Sequence, residues 1–130
     1  MLTELGDRLE GAAVGVTVGT NLFLGTLPDT PVDCGSLLDY EGAGMVRRHG
    51  ETSATLCEMQ RVQLLWRSAS YATGLAMVRA VWKALECTNT TLGTTWYQRV
   101  EADAPPAKVG RDDNERHLFT CNLTVTREAK

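Results

Sequence analysis

The spacing of apolar and polar positions changes between residues 59 and 86. From Met59 to Arg67, Val62, Leu64 and Trp66 alternate with Arg61, Gln63 and Arg67, the period of a strand with one buried face. Leu65 interrupts the alternation, which predicts that the second face is partly covered. From Tyr71 to Glu86 the period lengthens. Leu75, Val78, Trp82 and Leu85 fall at helical spacing, with Met77 and Val81 beside them. Ser70 stands where an N-cap is needed, since its hydroxyl can accept from a free backbone N–H. Ala72, Ala76, Ala80 and Ala84 form a strip where a sheet could come close, and Arg79 and Lys83 lie elsewhere, one turn apart. A strand feeding an amphipathic helix is the core unit of a layered domain. The predicted core is Trp66, Leu75, Val78, Trp82 and Leu85.

The flanking segments extend this unit. Leu2, Leu5, Leu9, Ala12 and Ala13 give a helical stripe over residues 1–14. Gly6 and Gly11 each weaken it by roughly 1 kcal/mol relative to alanine, so it needs a surface to lie on. Asn21–Leu27 reads as a strand stopped by Pro28 and Pro31, and Ser36–Tyr40 as a short strand ended by Glu41-Gly-Ala-Gly44. Residues 45–55 read as a polar loop. Thr55–Arg67 is the long strand; the helix follows, with Cys87–Thr90 closing it. Residues 91–100 read as a hairpin around Gly93, and 102–116 as a loop containing Pro105, Pro106 and Gly110. Phe119, Cys121, Leu123 and Val125 alternate with Thr120, Asn122, Thr124 and Thr126 in a last strand from Leu118 to Arg127. The fold class expected is α+β: one domain over residues 1–130, with one mixed or antiparallel sheet and helices packed on one face.

Composition narrows the functions. The chain has 130 residues, with 13 Lys plus Arg against 16 Asp plus Glu, a net charge of -3. There is no basic stripe for nucleic-acid binding, and no apolar run near the roughly 20 residues that span a bilayer. The mixed charges at the start do not make a secretory signal. Cys34, Cys57, Cys87 and Cys121 form no CxxC pair and read as small apolar side chains in a reducing cytosol. Gly11, Gly15 and Gly19 lack the neighbours a phosphate-binding loop needs.

Catalysis needs a nucleophile with a base, or paired carboxylates. His117 follows Asp112 and Asp113 closely enough to suggest a base or metal site, but the run Asp112-Asp-Asn-Glu115 lacks the spacing of a calcium loop. A surface loop held by local charge pairs explains it better. His49, without a carboxylate or cysteine at ligand spacing, reads as solvated. No cofactor, metal or catalytic residue is expected, and the residues alone suggest a small cytosolic α+β domain of binding or structural type.

Three segments carry a resemblance further. They are Asn21-Leu-Phe-Leu-Gly-Thr-Leu-Pro-Asp-Thr-Pro31 with the strand ending at Asp39-Tyr40, Arg61-Val-Gln-Leu-Leu-Trp-Arg-Ser-Ala-Ser-Tyr71, and Gly110-Arg-Asp-Asp-Asn-Glu-Arg116 before the last strand. In order and spacing the chain resembles the minor capsid, or tail terminator, proteins of long-tailed bacteriophages. The resemblance implies a structural virion protein: a homohexameric ring that terminates the tail tube and joins it to the neck. The implied partners are other copies of the chain, the tail tube protein and a neck or head-completion protein, with double-stranded DNA as passing cargo and no membrane. Assembly in the host cytoplasm and a place at the tail–neck junction follow. A head-completion or neck adaptor and a tube-like subunit are the structural alternatives; a small cytosolic enzyme or ligand-binding domain is the alternative of another class.

On that reading, residues 45–55 and 104–117 are interaction loops. Arg47, Arg48, Arg111, Asp112, Asp113, Glu115 and Arg116 are the expected contact residues. An acidic channel wall would repel passing phosphate, and Glu101, Asp103 and Asp113 are the expected lumen residues. Asp103 and Asp112 are the weaker choices for a wall, because arginines nearby could neutralise them.

Overall fold

A computed structural model describes residues 1–47 and 55–128, with the backbone alone for residues 41–47, 55 and 56. The elements in order are α1 (Leu2–Gly11), β1 (Leu22–Leu24), β2 (Cys34–Arg47), β3 (Thr55–Ser68), α2 (Tyr71–Leu85), β4 (Cys87–Leu92), β5 (Thr95–Ala102), β6 (Ala107–Arg111) and β7 (His117–Glu128). Among the described residues the strands form one seven-stranded sheet, ordered β1-β2-β3-β7-β5-β4 with β6 beside β7. The β1–β2 pair is parallel and the others antiparallel, so the sheet is mixed. The fold is α+β, as expected.

The alternation in β3 sets the core. Val62, Leu64 and Trp66 are buried, and each faces an apolar partner on β7: Leu123, Cys121 and Phe119. Leu37 of β2 continues the row through Leu64 to Cys121. Both helices cover this face. Leu5 and Leu9 of α1 and Val78, Val81 and Leu85 of α2 join the same apolar cluster. The opposite face carries Gln63, Leu65, Asn122 and Thr124 and has no helix over it. At one end the segment before β2 does cover it, where buried Arg67 donates to the carbonyls of Pro31 (2.6 Å) and Val32 (3.1 Å).

Two glycines let the layers close. A Cβ at Gly35 would lie 2.0 Å from Trp66 Cε3, and one at Gly74 would lie 2.5 Å from Phe119 Cε2. This corrects the expected helix face. Gly74, Val78, Val81 and Leu85 point inward, while Leu75 and Trp82 are half-buried. Closest approach falls on the glycine, so the helix is rotated away from the predicted stripe. The sheet does not approach the alanine strip: Ala72, Ala76 and Ala80 line an open groove with Val14 and Met77. Ser70 caps α2 as expected, accepting from Thr73 N at 3.4 Å. At the other end Arg8 Nε donates to Ala84 O (2.9 Å), a cation placed at the negative pole of the helix.

Several boundaries differ from the sequence expectation. The first helix ends at Gly11, before Ala13 at a φ of 56°. β1 keeps only Leu22–Leu24 of the predicted strand, because Gly25 (φ 84°) turns the chain away from β2. β2 does not stop at Tyr40. It runs through Gly42 and Gly44 to Arg47, with register shifts between Asp39 and Glu41, Gly42 and Gly44, and Val46 and Arg47. Glycines that read as a strand end are absorbed by bulges. The loop assigned to 45–55 therefore begins and ends inside paired strands, and its residues 48–54, with Arg48 and His49, lie outside the described residues. Cys87 opens β4 instead of closing the helix. The loop assigned to 104–117 contains β6, and His117 already belongs to β7.

Candidate functional site: the charged turn and the helix-free face

The β6–β7 connection is a self-closed turn. Asp112 Oδ1 accepts from the backbone N–H of Asn114 (3.0 Å) and of Arg116 (2.9 Å), and its Oδ2 takes Arg116 Nε at 2.6 Å. The backbone closes with Asp112 N to Arg116 O and Glu115 N to Asp112 O, each 3.0 Å, while Glu115 sits at a φ of 62°. Arg116 reaches on to Asp29 through its side chain (2.7 Å) and carbonyl (2.8 Å), tying this turn to the segment before β2. Burial pushes the Asp112 carboxyl up, but the hydrogen bonds from Arg116 and Asn114 outweigh it, and the group stays below its ordinary range. Arg111 adds an exposed pair to Glu115 at 3.4 Å.

The expected site residues thus separate. Asp112 and Arg116 are spent on holding the turn. Asp113 is exposed at its tip and makes no ion pair with a described residue. Glu101 faces Thr124 across β5–β7 and pairs with Arg99 at 3.2 Å; Asp103 pairs with Arg61 at 3.2 Å and accepts from Thr124 Oγ1 at 2.8 Å. Glu101 and Asp103 therefore share the helix-free face. Thr124 lies seven residues along β7 from His117, so the tip with Asp113 is roughly 24 Å away along the strand. Arg47 is placed in β2 by its backbone.

His117 does not meet the aspartates that precede it. Its ring packs edge-on against Tyr71, 6.1 Å between centroids, with Nδ1 buried and unpartnered. Desolvation, then the charges of Lys108 and Arg111, push its pKa down, so it is neutral near pH 7. Among the described residues no group of three or more His, Cys, Asp or Glu side chains is placed to hold a metal. The four cysteines are free; burial raises the Cys34 thiol and pushes Cys121 up to about 11, so neither is a ready nucleophile.

A second polar network went unread in the sequence. Tyr97 Oη donates to Glu4 Oε1 at 2.7 Å, and Arg127 pairs with Glu58 at 2.6 Å across β3–β7. Burial pushes Glu4 up, but hydrogen bonds from Tyr97 and Thr95 and the charges of the N-terminus and Arg127 leave it lowered. Burial, followed by the Glu4 hydrogen bond, raises Tyr97. This network pins α1 to the sheet. Only the placement of Glu4 one turn before Arg8 hints at it, since both lie on the half-buried flank of the helix.

What these groups do is hold the loops and layers of the fold in place. The comparisons give the fold its family: the model of the bacteriophage tail terminator protein family matches residues 9–129, and the chain belongs to that family. It is a structural protein of the phage tail, located in the virion. A chain in the solved structure described as the virion of a native gene transfer agent particle has the same fold. The TM-score is 0.63 at 14% identity, over 96% of this chain and 95% of that one. No curated protein sequence matches the chain significantly.

Proposed function

We propose that the chain closes a homohexameric ring which ends the tail tube and joins it to the neck. Family membership over residues 9–129 carries this reading. The architecture supports it: a sheet braced by helices on one side leaves its other face, and the charged turn, free for neighbours. The contact segments in this reading are the β2–β3 connection with Arg47 and Arg48, and the turn with Arg111, Asp112, Asp113, Glu115 and Arg116. The partners are neighbouring copies, the tail tube protein and a neck protein.

The helix-free face supplies the channel wall in this proposal. Its Gln63, Asn122 and Thr124 are polar, and its carboxylates Glu101 and Asp103 each sit beside an arginine. A wall of paired charges neither traps nor strongly repels DNA, and Asp113 adds an acidic group only where the tip of the turn reaches the channel. Imaging intact particles with a tag on this chain tests the junction role. Density for a ring between tube and neck is expected; density along the tube, or above the neck, would replace this reading with a tube subunit or a head-completion protein.

A further inference from the structure

The sheet has one long edge that nothing in the described chain covers. β1 lies beside β2 only from Gly35 to Leu37. The last bonds there are Gly35 N to Asn21 O (2.9 Å) and Gly25 N to Leu37 O (2.8 Å), after which Gly25 turns the chain away. The two-residue alternation of a strand then points the N–H and C=O of Asp39 the same way, outward. From Asp39 to Arg47, β2 has a strand on one side only, β3, which is itself backed by β7 as far as Cys57. This edge is three strands deep. Tyr40, 49% exposed, stands beside it, and tyrosine is enriched in protein contacts.

At the far end of the sheet, β4 also pairs on one side only among the described residues. Its sequence, Cys87-Thr-Asn-Thr-Thr-Leu92, has neither a charge nor a proline to guard the edge, and its ladder with β5 is interrupted at Asn89, at a φ of 48°.

We infer that the open β2 edge of one copy takes the β4 edge of the next, extending the sheet from subunit to subunit. This rests on the ring reading above and gives its contact. The ring selects the pair: two β2 edges would join only two copies, whereas the uncharged β4 offers a second, different edge. Topology selects the symmetry. Following the pairings across the sheet, β2 and β4 run in the same direction. A rotation about an axis along the strands therefore lays β4 parallel to its neighbour's β2, as β1 already lies. Two different edges make a head-to-tail contact, the kind that closes into rings; a β2–β2 contact would stop at a dimer.

Asp39→Pro removes the outward N–H without touching the β3 ladder. The expected result is a protein with wild-type circular dichroism that no longer forms rings by native mass spectrometry or in purified tails, while Asp39→Asn forms them normally. In a Cys87→Ser background, which removes the native thiol of β4, Asp39→Cys combined with Thr88→Cys or Thr90→Cys should give a disulfide-linked ladder on non-reducing gels, absent from each single variant. Rings persisting in folded Asp39→Pro would overturn the inference. So would dimers from Asp39→Cys in the Cys87→Ser background, or ring loss in Asp39→Asn. Should Asp39→Pro fail to fold, the double-cysteine variants decide, and the absence of a ladder from particles overturns the edge contact. Failure of the ring reading itself shows separately, as wild-type particles in which this chain forms no ring.

Discussion

Replacing Gly35 by alanine tests the packing of the sheet against its own tryptophan. The new Cβ would fall 2.0 Å from Trp66 Cε3, 2.5 Å from Cζ3 and 3.0 Å from the Leu65 carbonyl oxygen. Comfortable carbon contacts lie near 3.5–4.0 Å, so the shortfall exceeds an ångström. The ring cannot yield cheaply: Trp66 is 2% exposed and packed within the core, and Phe119 stands opposite it on β7. Either β2 bends outward or Trp66 leaves its rotamer. Overpacking of this kind costs about 1–3 kcal/mol, and here the upper end applies. Against it stands the relief of glycine's backbone entropy, about 0.5–1 kcal/mol. The net expectation is a loss of about 2 kcal/mol, or about 6–10 °C in Tm for a domain of this size.

Urea titration reads the effect directly, as a lower midpoint at an unchanged m-value. The cause is isolated by a double-mutant cycle. In a Trp66→Leu background the obstructing ring is gone, so Gly35→Ala should cost little or nothing, giving a coupling of about 2 kcal/mol. Gly11→Ala serves as the control, because nothing lies within 4 Å of the added carbon; it should stabilise by up to about 1 kcal/mol. A Gly35→Ala midpoint at or above wild type, or strict additivity with Trp66→Leu, would refute the close contact as the reason for the glycine.

Other outcomes follow from the same structure. Trp82→Ala should cost less than Trp66→Ala, which removes a fully buried ring worth about 3–5 kcal/mol; Trp82 is half-buried with Arg79 stacked 5.8 Å from its ring, and equal losses of Tm would contradict the assigned helix face. Tyr97→Phe should free α1, seen as faster amide exchange in residues 2–11 than in α2, at a cost of about 1 kcal/mol, since Glu4 keeps its hydrogen bond from Thr95. The folded state lowers Glu4 below its ordinary 4.5, so its stabilisation is complete above that pH and lost as pH falls through the lower folded value; Tyr97→Phe should make this acid limb shallower. Replacing Asp113 and Glu101 by lysine should leave rings intact but slow DNA exit if they line the lumen; assembly failure with folded subunits would make them contact residues instead.

The parts of the fold that could be read in the sequence are those where one side of an element meets the core and the other does not. β7, and β3 except at Leu65 and its covered end, alternate because one face is buried and the other largely open, and α2 announces itself through its long apolar stripe and Ser70. β6 gave no such signal. Ala107 through Val109 are exposed, so no periodicity is imposed on it, and its pairing with β7 is a backbone affair that side chains do not record. The extension of β2 was hidden for a related reason: Gly42 and Gly44 read as punctuation, yet backbone pairing tolerates them once bulges take up the register.

Glycine misleads in the helix for the opposite reason. Gly74 has no side chain to mark the inward face, and the apolar stripe in the sequence runs through Leu75. In the structure the missing side chain is what admits Phe119 and Ser68, and the helix turns to bring it inward. The charged turn was legible as a set of local pairs, but its attachment to Asp29, 87 residues away, was not. That attachment changes what the turn can do. A loop joined to itself alone could yield to any partner, whereas Arg116 binds this one to the segment that Arg67 also holds from behind the sheet. Two arginines thus fix the segment entering β2 and the turn leaving β6 as one unit. A neighbour would meet Asp113 on a surface already set, and recognition there costs less ordering than a free loop would require.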